Sequence, residues 1–250
     1  MGNLMRPGDQ FNNSQASMAE HRKTGVKPVR ASLRHYPAGT TIFDSECSMS
    51  RVLFIEKGWI ISSKMMSNGT RIVTDFFLHG DVLSSASTTM SQETVHAVSD
   101  VSCYELQGQM AAGGGGGGGE GTSQLPLILT VELMKRHARI AERLASIGRR
   151  DAFGRTGHLL LELAARAGNP SRPGLDGFEC PLKQSEIGDA LGLSTVHINR
   201  VLKEMRLGGL LSFRNGIVEF LNRRKLMELV GFDPSYLTSD RHEVAGHHEA

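Results

Sequence analysis

Apolar and polar positions fall into three successive textures along this chain. From Leu33 to Leu106 short apolar runs are punctuated by turns, as in YPAGTTIFD, RVLFIEKGWIISSKM, TRIVTDFFLHGDVLS and TVHAVSDVSCYEL. Runs of that length and composition predict strands. Asn68-Gly69, set between Ile60, Ile61 and Ile72, Val73, predicts a hairpin with both turn residues at positive φ. Pro37 to Gly39, Lys57-Gly58 and His79 to Asp81 mark further corners, so the segment reads as a small β-roll or jelly roll. The period then changes: from about Leu125 to Ile147, Leu129, Leu133, Ile140, Leu144 and Ile147 recur at spacings of four, seven, four and three, with His137 in the gap. This predicts one long helix with a continuous apolar stripe.

Lys135, Arg136, Arg139, Glu142 and Arg143 fall on the other faces of that helix. A long helix between a β-roll and a second domain has little domain surface of its own to cover. The stripe Leu129, Leu133, His137, Ile140, Leu144, Ile147 is therefore expected to be a two-helix dimer seam. His137 could tune the seam with pH, or be an ordinary hydrogen-bonded or solvent-facing histidine.

A third texture runs from Leu182 to Met205. Ile187, Ala190 and Leu191 fall at helical spacing, Gly192 suits a positive-φ turn, and Leu193, Val201 and Leu202 can close a small core. Ser194 suits the N-cap of a second helix whose exposed side carries Thr195, Val196, Asn199, Arg200 and Lys203. These are the parts of a helix-turn-helix, and that side would enter a DNA major groove. Before it, Arg149 to Ala167 predicts another helix, followed by a turn-rich loop from Asn169 to Gly177. After it, Leu210 to Phe213 and Ile217 to Leu221 flank Arg214-Asn215-Gly216, a tight hairpin that would form a wing with Arg214 at its tip. The whole is an α+β chain: N-terminal β-roll, long dimerisation helix, C-terminal winged helix-turn-helix.

Composition adjusts this picture in four places. Residues 1–30 lack periodicity and read as a flexible arm, residues 111–123 contain seven consecutive glycines and read as a linker, and residues 233–250 read as a disordered tail. The domains are then a roll over 31–110, a dimerisation helix over 124–149 and a DNA-binding domain over 150–232. No apolar run spans a membrane and the basic N-terminus lacks the apolar core of a signal peptide, so a cytoplasmic location is expected. Cys47, Cys103 and Cys180 form no CxxC pair and are expected to be buried free thiols. The net charge of +2 hides an asymmetry: Lys and Arg against Asp and Glu number 9 and 11 from Ala31 to Gly148, but 13 and 8 from Arg149 to Met227. A basic surplus around the helix-turn-helix is what a phosphate-facing surface needs.

In this order, the parts resemble the Crp/Fnr superfamily of bacterial transcription regulators. The resemblance covers about Leu33 to Leu221 and rests on YPAGTTIF at Tyr36 to Phe43, the Gly58 corner, the Asn68-Gly69 turn, FFLHGDVL at Phe76 to Leu83 and LGLSTVHINRVLKEMRLGGLL at Leu191 to Leu211. It implies that Thr195, Val196 and Arg200 read bases, and that Ser194, His197 and Lys203 meet phosphates. Arg200 suits bidentate contact with a guanine, the alternative being an ion pair with Glu204 or Asp189. Val196 replaces the acidic residue of many relatives, which implies a different preferred site. Relatives that bind cyclic nucleotides carry an arginine after the Gly-Asp corner, whereas here VLSSASTTMSQETVHAV follows Gly80-Asp81 and no Lys or Arg occurs from Ile72 to Met134. Neither cyclic AMP nor cyclic GMP is expected as a ligand, nor an iron-sulfur cluster, since that branch of the family needs four cysteines. Haem stays open, with His79 and His96 as candidate axial ligands and Cys47 and Cys103 as thiolate alternatives. Some relatives act through abundance with no known effector.

The expected function is a homodimeric DNA-binding regulator acting on two-fold symmetric operators in concert with RNA polymerase, and not an enzyme. A metal enzyme on a cupin-like roll would need a His-x-His pair, whereas His35, His79 and His96 are isolated. The alternative is a small-molecule or haem sensor, or an interaction module, with weakened DNA binding.

Overall fold

The computed structural model describes residues 31–44, 51–107, 125–168 and 174–237. Eight strands make two antiparallel four-stranded sheets, ordered β1-β8-β3-β6 and β2-β7-β4-β5. These are β1 Ser32–Tyr36, β2 Thr41–Phe43, β3 Arg51–Lys57, β4 Ile60–Met65, β5 Arg71–Phe77, β6 Val82–Ser84, β7 Thr94–Ala97 and β8 Val101–Gln107. Phe43, Leu53, Ile55, Ile60, Phe77, Leu83, Val95 and Cys103 fill the interior between them. In β4 and β5 the neighbouring residues Ile61, Val73 and Phe76 are equally buried, because the outer face of this sheet is covered by the C-terminal domain. Burial on both faces explains why these strands read as continuous apolar runs and not as alternating ones.

The Asn68-Gly69 turn differs from expectation. Gly69 has φ 79° but Asn68 does not enter the positive region; its side chain instead accepts from the Thr70 amide at 3.0 Å. An Asx-type contact thus replaces the expected turn geometry. Met65 and Met66 are exposed beside this turn. A short helix, α1 (Ser85–Ser91), follows β6 where the sequence had suggested no element.

The long helix α2 spans Leu125–Arg149. The next, α3, begins at Ala152 and not at Arg149, because Asp151 caps it by accepting from the Gly154 amide at 2.7 Å. Then come β9 (Gly177–Glu179), α4 (Gln184–Leu191), α5 (Thr195–Leu207), β10 (Leu211–Arg214), β11 (Ile217–Phe220) and α6 (Arg223–Val230). Strand β9 pairs with β11, so the wing is a three-stranded sheet and not a lone hairpin. The chain continues as a 3-10 turn at Pro234–Leu237, where Tyr236 donates to Glu162 at 2.8 Å and stacks on His158. This corrects the disordered tail for residues 233–237. The arm, the glycine linker, Cys47 and residues 238–250 lie outside the described residues.

The expectation that α2 has little surface of its own to cover is also overturned. Leu125 and Leu129 pack on Val52, Leu106, Phe54 and Val82 of the roll, so Leu129 belongs to the roll contact and not to the exposed stripe. Further along, the face turned to the protein is lined by Arg136, Arg139 and Arg143, all buried.

Candidate nucleic-acid interface

The helix-turn-helix is built from tight backbone approaches. Glu186 of α4 accepts from the Lys183 amide at 2.7 Å, and Gly192 ends the helix at φ 65°. Gly188 lets the turn close: a Cβ there would lie 2.4 Å from the Leu193 carbonyl oxygen. Ser194 accepts from the His197 amide at 3.2 Å and starts α5. Ile198, Val201, Leu202 and Met205 hold α5 on the core with Ile187, Ala190 and Leu191 of α4. The opposite face is left to solvent, and Thr195, Val196 (79% exposed), Asn199, Arg200 and Lys203 are all on it, with His197 half-buried. The five residues expected on the exposed side of this helix are thus exposed.

Two side-chain contacts on α5 were not legible. Arg200 donates through Nη2 to His197 Nε2 at 2.9 Å, not to Glu204 or Asp189, and Asn199 turns back to the Thr195 carbonyl at 3.1 Å. Asp189 instead pairs with Arg71 of the roll at 2.8 Å. The wing tip has the geometry its sequence called for, with Asn215 at φ 51° and Gly216 at φ 71°. Two grooves flank Phe213: one of about 420 Å³, bounded by Lys183, Gln184, Ser185, Thr195 and Arg214, and one of about 480 Å³, bounded by Asn199, Arg200, Lys203 and Arg206. Lys183, Gln184, Ser185 and Arg206 thus join the surface, and their position at the start of α4 and late in α5 was the signal that could have found them. Among the described residues, Arg200, Lys203, Arg206 and Arg214 have no carboxylate partner, which leaves their charge available to a polyanion.

A second exposed surface lies on α2, where Leu133, Ile140 and Leu144 are 52%, 39% and 71% exposed. His137 is exposed and Ile147 half-buried on the same stripe.

The ligand candidates of the roll are placed differently. His79 Nδ1 lies 2.6 Å from the Glu56 carbonyl, while His96 is on β7, where burial and then Arg71 push its pKa below the ordinary value. Burial, with Glu105 beside it, pushes the Cys103 thiol up to about 12, which disfavours a thiolate. Cys103 and Cys180 are buried and free. No group of three His, Cys, Asp or Glu is placed to hold a metal ion among the described residues. Among the described residues, α1 offers a cyclic phosphate no cation, only Ser, Thr, Ala and Met, while Arg51 is paired with Glu105 at 2.7 Å and Arg136 with Glu93. No described helix is long and apolar enough to cross a membrane.

Comparison with known proteins matches both halves of the chain. Residues 33–111 match the cyclic nucleotide-binding domain and residues 154–229 the Crp-like helix-turn-helix domain. The nitrogen fixation regulation protein FixK of Azorhizobium caulinodans is 24% identical over 177 residues, 71% of this chain and 70% of that protein. Among solved structures, FixK2 from Bradyrhizobium japonicum aligns with a TM-score of 0.65 at 23% identity, covering 80% of this chain and 98% of that one. TTHB099, a CRP-family transcriptional regulator from Thermus thermophilus, aligns at 0.62 and 16% identity over 79% of this chain and 96% of that one.

Proposed function

We propose that this chain, which belongs to the Crp/Fnr family of transcription regulators, acts as a homodimer on two-fold symmetric operators without needing a cyclic nucleotide. The observation that carries the reading is the α5 face: Thr195, Val196, Arg200 and Lys203 stand exposed beside a wing tipped by Arg214, with no acid pairing the cations among the described residues. Thr195, Val196 and Arg200 read base edges; Ser194, His197, Lys203 and Arg214 meet the backbone, and Asn199 lies between the two groups. The exposed stripe Leu133, His137, Ile140, Leu144 and Ile147 pairs with its copy, which sets two α5 helices about 34 Å apart on one face of the duplex. Independence from cyclic AMP is supported by the lack of a cation on α1 to meet a phosphate, and no haem or iron-sulfur cluster is required by the reading. Bound upstream of a gene, such a dimer would act through RNA polymerase, from the cytoplasm.

The test is selection from a random DNA pool by the full-length protein at physiological salt, with no ligand added. A symmetric site with half-sites one turn apart is expected, from a protein that sediments as a dimer. Failure to enrich any sequence sinks the reading, and a gain in operator affinity on adding cyclic AMP sinks its ligand-free part.

A further inference from the structure

The cations that the α5 face presents to solvent have a buried counterpart where the roll, α2 and α3 meet. Asp75 of β5 is fully buried there, and its carboxylate receives Arg139 of α2 through Nη2 at 2.7 Å and through Nε at 3.2 Å. Arg136 Nε lies 3.8 Å from the same carboxylate, and Arg166 Nη1 of α3 lies 4.0 Å from it. Neither of those two nitrogens has a hydrogen-bond partner, so Asp75 helps offset their burial, together with Glu93 beside Arg136 and Glu162, 3.5 Å from Arg166 Nη1. Arg166 also donates to Asp81 at 2.8 Å and to the Phe76 carbonyl, while Arg143 of α2 donates to the Thr74 carbonyl at 2.8 Å and lies 3.4 Å from Glu162 of α3. The Thr74 carbonyl is free for this because β5 has a bulge: Ser62 pairs with Asp75 and Ser63 with Val73, leaving Thr74 over. Burial alone would raise the Asp75 carboxyl, but Arg139, Arg166 and Arg143 outweigh it and hold it down at about 2.

We infer that Asp75 is a positioning residue for DNA recognition: a chain-supplied anion that fixes the DNA-binding domain and the long helix on the roll in one orientation. Three observations carry this. Asp75 is the one carboxylate within 4.0 Å of arginines from both α2 and α3 among the pairs described, except for Glu162, which is itself part of α3. Its partners are guanidiniums, whose planar, directional donors fix angle as well as distance. Asp75 itself is fully buried, and its neighbour Phe76 belongs to the apolar cluster that joins Ile61 and Trp59 of the roll to Leu159, Leu160 and Phe178 of the C-terminal domain. Apolar burial supplies attraction between roll and DNA-binding domain without direction. The ion network around Asp75 supplies the direction. The consequence for operator affinity rests on the DNA-binding reading above; the geometric claim does not.

The experiment places spin labels on cysteines introduced at Met90 of the roll and Leu229 of α6, both exposed, in the full-length chain carrying Cys47→Ser, with labelled chains diluted into unlabelled ones. The readout is the distance distribution by pulsed electron resonance in Asp75→Asn against its parent. Because no DNA is needed, the result is independent of whether an operator is found. The expected result is a folded variant whose distribution broadens, and whose affinity for the selected operator falls about 5- to 150-fold, the ordinary range of coupling between sites. The double variant Asp75→Asn with Arg139→Met, which removes the stranded cation, is expected to recover melting temperature but not the narrow distribution. A folded Asp75→Asn with the parent distribution overturns the inference, as does a double variant that recovers both. Should Asp75→Asn not fold, Arg166→Gln is measured instead, where a broadened distribution supports the role and an unchanged one overturns it.

Discussion

The chain uses arginine in two opposite ways. On α5 and the wing, Arg200, Arg206 and Arg214 are exposed and have no carboxylate partner among the described residues. On α2, Arg136, Arg139 and Arg143 are buried, and on α3 the largely covered side chain of Arg166 joins them among Asp75, Asp81, Glu93 and Glu162. The residue type is the same, so it does not decide the outcome. What decides it is whether another element brings acids to meet the guanidiniums. Where acids come, arginine fixes architecture; where none come, its charge remains for a ligand.

That contrast can be attacked from either side, and the buried side should respond most. Arg139→Leu leaves Asp75 buried without its closest partner, and unfolding in urea should show a loss of about 3–5 kcal/mol; a loss under about 1 kcal/mol, the scale of an exposed ion pair, would erase the distinction. On the exposed side, Arg200→Ala should leave the melting temperature within error of the parent, yet cost about 1–3 kcal/mol of discrimination at one operator position, measured against a set of single-base variants. Arg214→Ala should instead weaken binding evenly across sequences, and the slope of log affinity against log salt should become shallower by about 0.9. Sequence-dependent loss at Arg214 would move the wing from backbone to base contact.

The smallest effect is one of pH, at the edge of the buried network. His158 of α3 is buried, with Nε2 at 3.1 Å from Glu142 of α2, and stacks with Tyr236. Burial, and then Arg150, lowers its pKa, with Glu142 and Glu162 opposing and Arg143 adding to the lowering. A histidine with a lowered folded value binds its proton more readily when unfolded. Stability should therefore be greatest above the ordinary value of 6.5 and decline as pH falls below it, toward the lowered folded value. Melting temperatures of His158→Gln should lack that part of the decline; an identical profile would assign it elsewhere.

The legible and the illegible parts of the molecule separate along the same line. The α5 face, Ser194 as cap, Gly192 as turn and the Asn215-Gly216 wing tip follow from residues adjacent in sequence, and each is where the pattern put it. Asn68-Gly69 shows the limit of this: the same dipeptide, a different backbone, because its loop closes through the Asn68 side chain and a Met66 to Thr70 backbone bond at 2.8 Å. The network was illegible because its partners are far apart in the chain, Asp75 and Arg139 above all. Two signals were nevertheless present. Arg136, Arg139 and Arg143 recur at three and four, the spacing of a buried stripe, and Asp75 puts a charge between Val73 and Phe76 in a strand rich in apolar residues. Read as ordinary solvated charges, they pointed α2 outward on too many sides. Strand β9 and the Pro234–Leu237 turn were missed because three or four residues carry too little periodicity to announce an element.

Trp59 lies on the outer face of the roll with its ring stacked on Phe178 of the wing sheet at 6.2 Å, and it is the chain's single tryptophan. Light absorbed selectively by that indole is thus emitted from the seam between the two domains and from nowhere else. The protein carries its own optical gauge: a shift of its emission to longer wavelength would signal water reaching the seam, in an unlabelled chain and in real time.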